Sequence, residues 1–129
     1  MRRVLTWTFA AAAALIIGLP ASAMAQGSVT VDNNLAKAGK KLWSNRGCNG
    51  CHVLGKRSAG PDVLGVVERR GLEWVQRFLK EPDRMLETDS TARALLAEFQ
   101  NVKMPNLRLA DNDIQALIHY IQQETNKKK

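Results

Sequence analysis

The chain has 129 residues, 19 Lys and Arg against 12 Asp and Glu, and a net charge of +7. It is 45% hydrophobic and 24% charged, which excludes a collagen, a coiled-coil rod and an acidic or Pro/Gly-rich disordered tail. Two cysteines are too few for a disulfide framework, and the length allows one domain plus a targeting segment.

The N-terminus has the pattern of a secretory signal peptide over 1–25. Arg2 and Arg3 form a basic start, Phe9 to Leu19 an apolar run, and Pro20 ends it. Small residues follow, with A-x-A patterns ending at Ala23 and Ala25, and the cut is expected after Ala25. The run is shorter than the roughly 20 residues a spanning helix needs, so cleavage is expected rather than retention as an anchor. Stable membrane insertion is then not expected, and the working domain is 26–129.

In that domain Asp32, Asn33 and Asn34 offer N-caps for a helix over 35–46, with Leu35, Gly39, Leu42 and Trp43 on one face. Gly39 would let another helix approach closely there, with Tyr120 or a neighbour packing over it. A second helix is expected over 68–80, with Trp74, Val75, Phe78 and Leu79 inward and Pro82 as its stop. A third covers 90–99, capped by Thr88, Asp89 or Ser90. Residues 101–109 read as a loop. A last helix runs from an Asp111 cap to about 124, burying Ile114, Leu117, Ile118 and Ile121, and residues 126–129 form a solvated tail. No stretch alternates apolar and polar residues persistently. The expected class is all-α, about four helices with extended loops.

Between the first helix and a Gly-rich loop stands Cys48-Asn49-Gly50-Cys51-His52. C-x-x-C-H reads as a c-type haem attachment site. Two thiols three positions apart add to the two vinyl groups of haem, and the next residue, an imidazole, lies under the iron as an axial ligand. A thioredoxin-like reading lacks the neighbouring strand pattern. A structural zinc site wants four ligands, and adjacent Cys51 and His52 suit one tetrahedron poorly. A Cys48–Cys51 disulfide would close a tiny loop and add little stability.

The chain resembles the small monohaem class I cytochromes c over nearly all of 26–129. Gly39 and Trp43 look like that family's N-terminal helix, Gly60-Pro61-Asp62 like its proline loop, 101–109 like its methionine loop, and Leu117 to Ile121 like its C-terminal helix. The segment from Gly60 to Leu109 further resembles cytochromes associated with copper-containing terminal reductases. The resemblance implies a cytochrome c fold around one covalent haem c. It also implies that the Pro61 carbonyl accepts the His52 ring N–H.

For the sixth iron ligand, Met104 in its proline-stiffened loop stands ahead of Met85 and His119, given the usual Met/His pairing. Leu54, Val63, Leu64, Leu107 and Leu109 are candidates for burying the cofactor, and the Trp43 or Trp74 indole for reaching a propionate. A six-coordinate iron leaves no open position, so one-electron transfer between respiratory partners in the periplasm is the expected role, without enzyme activity. A haem protein with an open sixth position, acting as a peroxidase-like enzyme or gas-ligand sensor, is the alternative. A non-haem interaction module with oxidised cysteines is a third reading. Arg46, Lys56, Arg57, Lys103 and Arg108 flank the haem motif or the Met104 loop and form a candidate docking ring for redox partners with acidic surfaces. Export argues against nucleic acid as the anionic partner.

Overall fold

The computed structural model describes residues 29–129, so the expected signal peptide lies outside the described residues. Helix α1 (Asn33–Asn45) is capped by Asp32, whose carboxylate accepts the Asn34 and Leu35 amides at 2.7 and 3.0 Å. A 3-10 turn at Cys48–Gly50 follows. Then come α2 (Val66–Arg70), α3 (Leu72–Lys80), α4 (Pro82–Thr88), α5 (Ser90–Glu98) and α6 (Asp111–Lys127). Among the described residues there is no strand beyond one isolated bridge, Val53 with Lys56, and no helix long and apolar enough to cross a membrane.

Among the described residues six α-helices stand where about four were expected. The expected 68–80 helix is two, because Gly71 between them takes φ 85°, ψ 147°, outside helical space. Pro82 both stops α3 and starts α4, since its missing N–H is harmless at the first helical position. Asp89 is the α5 cap, accepting the Ala92 amide at 2.9 Å. Asp111 is not a cap but the first residue of α6, where it pairs with Lys80 at 2.6 Å. Helix α6 also extends into the expected tail, reaching Lys127, and Lys129 Nζ lies 3.2 Å from Glu68 Oε1.

Helices α1 and α6 cross at Gly39. A Cβ there would run into the Ala116 carbonyl and lie 2.8 Å from Tyr120 Cβ, so only glycine permits this approach. Trp43 meets Tyr120 edge-on, with centroids 5.8 Å apart. The core joins Trp43, Val67, Val75, Leu109, Ile114, Leu117, Ile118, Tyr120 and Ile121. From this α1–α6 platform the remaining helices and loops enclose a cavity.

A candidate haem site

The motif is held by backbone bonds. The His52 amide donates to the Cys48 carbonyl at 2.9 Å, and the Gly60 amide to the Cys51 carbonyl at 2.7 Å. This second bond folds residues 53–60 back over the histidine. A Cβ at the buried Gly60 would lie 2.7 Å from His52 Cε1 and 2.9 Å from Nδ1, so the loop seats against the ring only because position 60 has no side chain. His52 Nδ1 then stands 2.8 Å from the Pro61 carbonyl. A carbonyl only accepts, so Nδ1 carries the proton and Nε2 keeps its lone pair for a metal. Asp62 Oδ1 accepts the Leu64 and Gly55 amides at 3.0 and 2.9 Å, and Arg69 donates to the Asp62 and Leu64 carbonyls. The Gly65 amide donates to Thr125 Oγ1 on α6 at 2.9 Å. The proline loop is thereby tied to both α2 and α6.

Cys48, Cys51 and His52 line a cavity of about 430 Å³, and so does Met104. Its walls are mostly apolar, with Trp43, Val66, Val75, Phe78, Leu86, Leu95, Phe99, Leu117 and Ile121 among them. Cys48 and Cys51 are not bridged to each other, and burial pushes the Cys48 thiol up, the opposite of the lowered thiol a redox-active C-x-x-C needs. No cluster of three or more His, Cys, Asp or Glu among the described residues could hold a metal ion by itself. The arrangement suits a planar apolar cofactor that brings its own metal. Two thiols would meet its edge, an imidazole and a thioether would reach its metal, and Arg46, Arg57, Arg69, Arg70 and Lys103 along the lining would supply positive charge for its carboxylates.

Met85 is 2% exposed in the core and does not line this cavity. His119 is turned elsewhere, its Nδ1 accepting the Asp32 amide at 3.0 Å. Met104 alone of the three sixth-ligand candidates faces the site. Of the five apolar residues expected to bury the cofactor, Val63 and Leu107 line the cavity; Leu109 lies in the core and Leu54 packs against it. Leu64 instead packs beside Gly55. The large apolar walls come from α3 and α5; periodicity showed the α3 stripe as inward without showing what it faces. The Trp74 indole is committed to Asp89 Oδ1 at 3.2 Å, because that carboxylate already caps α5 beside it. Arg46, Arg57 and Lys103 of the candidate docking ring line the cavity, whereas Lys56 and Arg108 are exposed away from its lining. Arg69 and Arg70 were missed because they precede the Gly71 break and read as ordinary helix surface.

The sequence matches the family model for cytochrome c over residues 36–125, from within α1 to within α6. The chain belongs to the cytochrome c family. It is a small class I c-type cytochrome with an all-α cytochrome c fold, and its cofactor is covalent haem c. Among solved structures it is similar to a cytochrome c from Rhodothermus marinus, at 26% identity and TM-score 0.71, covering 76% of this chain and 83% of that one. It is also similar to an engineered cytochrome c from the same organism bound to a carbene intermediate, at 27% identity and TM-score 0.66, covering 75% and 82%. No curated protein matches by sequence. Membership makes the chain a haem-based electron carrier that works with redox partner proteins.

Proposed function

We propose that this cytochrome is a periplasmic single-electron carrier between respiratory partners, with His52 and Met104 as axial ligands and Cys48 and Cys51 as the thioether residues. The observation that carries this reading is the convergence of His52 and Met104, from two separate loops, on one apolar cavity beside both thiols. The haem supplies a one-electron couple between ferrous and ferric iron. The chain's residues do the rest. The Pro61 carbonyl holds the His52 ring in the tautomer that leaves Nε2 free, and Gly60 sets its plane. Met104 offers a soft sulfur, which favours the ferrous state and raises the potential. The apolar walls keep water out, which favours the lower-charge state further. With His52 and Met104 both engaged, the chain would leave no open position for a substrate, which suits electron transfer without bond making.

The leader at 1–25 supports export, with Gln26 as the mature N-terminus. Of the docking candidates, Arg57 is paired with Glu98, and Arg46 lies 3.9 Å from Asp113. Lys56, Lys103 and Arg108 have no ion-pair partner among the described residues. They are the stronger candidates for meeting an acidic partner. The test is a visible spectrum of the exported holoprotein beside Met104→Ala. A weak sulfur-to-iron band at the red edge of the ferric spectrum, lost in the variant, is the expected result. A high-spin wild-type spectrum would instead establish an open sixth position and with it the enzyme or sensor.

A further inference from the structure

Arg57 lies five residues beyond His52, in the turn whose bonds seat Gly60 against the imidazole. Its side chain reaches the C-terminus of α5, six residues before Met104. Nη1 donates to the Glu98 carboxylate and Nη2 to the Glu98 carbonyl at 2.9 Å, and the guanidinium lies 4.2 Å from the centroid of Phe99. The Glu98 carbonyl is among those a helix end leaves without an intrahelical partner, and a cation is favoured there. Phe99 is 8% exposed and lines the cavity. Directly after it Gln100 and Asn101 take φ 55° and 61°, the Asn101 amide donates to the Leu96 carbonyl at 2.9 Å, and the Val102 amide to the Phe99 carbonyl at 3.0 Å. The direction in which the chain leaves for Met104 is therefore set at the point Arg57 grips.

We propose that Arg57 is a positioning residue for the sixth ligand. It clasps the segment after His52 to the segment before Met104 and so keeps the Met104 sulfur engaged against competing ligands. The inference rests on the Met104 ligation proposed above. Arginine suits the place best, because one rigid guanidinium donates to two acceptors while lying over a ring; a lysine keeps the charge but not the paired donors. On the far side, Asn106 Nδ2 donates to Asp83 Oδ2 at 3.1 Å, so releasing Arg57 frees one end of the loop and leaves the other tied.

The experiment titrates imidazole into the ferric holoproteins of wild type, Arg57→Lys, Arg57→Ala and Glu98→Gln, following loss of the sulfur-to-iron band. A partly exposed ion pair and a cation–π contact together are expected to shift this competition about tenfold. Arg57→Ala should therefore bind imidazole about tenfold tighter, with Arg57→Lys and Glu98→Gln between it and wild type. Helix melting of each variant, followed separately, should change less than the ligand competition. Equal imidazole affinity in all four proteins, or lower helix stability with unchanged affinity, overturns the inference. If Arg57→Ala does not fold, the other two variants decide by the same criterion. A wild type that lacks the band and binds imidazole as tightly as Met104→Ala defeats the ligand assignment itself, a different result from an unresponsive Arg57.

Discussion

Gly39→Ala puts the helix crossing that supports the site to a direct test. In an isolated helix this change is favourable, by about 1 kcal/mol. Here the new methyl would stand 2.8 Å from Tyr120 Cβ and closer still to the Ala116 carbonyl, whereas ordinary contact begins near 3.4 Å. The obstacle is backbone, so no rotamer change relieves it, and α1 and α6 must separate. That loosens the edge-on packing of Trp43 on Tyr120, and Trp43 also packs 6.1 Å from the His52 ring. Overpacking of a tight core costs about 1–3 kcal/mol, and a clash against a carbonyl belongs at the upper end. Offset by propensity, the net loss is about 2 kcal/mol, a fall in Tm of roughly 8–16 °C for a domain of this size. The assay is thermal unfolding of the holoprotein by far-ultraviolet circular dichroism. Gly50→Ala is the control: nothing lies within 4 Å of its Cβ position, so its stability should stay within about 0.5 kcal/mol of wild type. A Gly39→Ala protein as stable as Gly50→Ala would refute the close crossing.

Cys48→Ser with Cys51→Ser should abolish covalent haem, read as loss of haem-associated peroxidase stain on a denaturing gel. Met104→Ala should keep haem attached but lower the reduction potential, measured by redox titration. Met85→Ala should leave the potential unchanged and cost about 2–5 kcal/mol of stability, because its side chain is buried in the core away from the cavity. Stability should fall on acidification. Amide hydrogen bonds hold the Asp32 and Asp89 carboxyls below their usual range, and a hydrogen bond from Gln122 does the same for Glu68. A lowered folded pKa stabilises above the unfolded value, roughly pH 4, and that contribution is lost as pH falls through the folded value. Asp89→Ala should flatten this acid limb in a pH series of melts. Lys56→Glu with Lys103→Glu should slow electron transfer to an acidic partner at low salt and weaken its salt dependence, with the spectrum unchanged; stopped-flow kinetics across ionic strength measures both.

The sequence and the structure divide the site between them on physical grounds. Attachment chemistry is local, so Cys48, Cys51 and His52 are legible as a string: a thiol, a thiol and an imidazole at fixed spacing need no tertiary context to be read. The α1 and α6 stripes are equally legible, because one-sided burial imposes a 3.6-residue period on Leu35, Gly39, Leu42 and Trp43, of which Gly39 and Trp43 are buried and the two leucines half-buried, and on Ile114, Leu117, Ile118 and Ile121. The Pro61 carbonyl was anticipated only through family resemblance, since a backbone acceptor leaves no signature in side-chain types. What a buried face looks onto is not written in its period. Phe78 reads as inward and proves to be cavity wall, while Leu109 was expected at the cofactor and lies in the core. The break at Gly71 and the start at Pro82 depend on backbone conformations that these residues merely permit. Arg57 on Glu98 and Phe99, Trp74 on Asp89, and His119 on Asp32 join residues 15 to 87 positions apart. Such pairings exist only once the helices have packed, because a side chain's partner is chosen by distance in space and sequence constrains that distance only within a turn or two of helix.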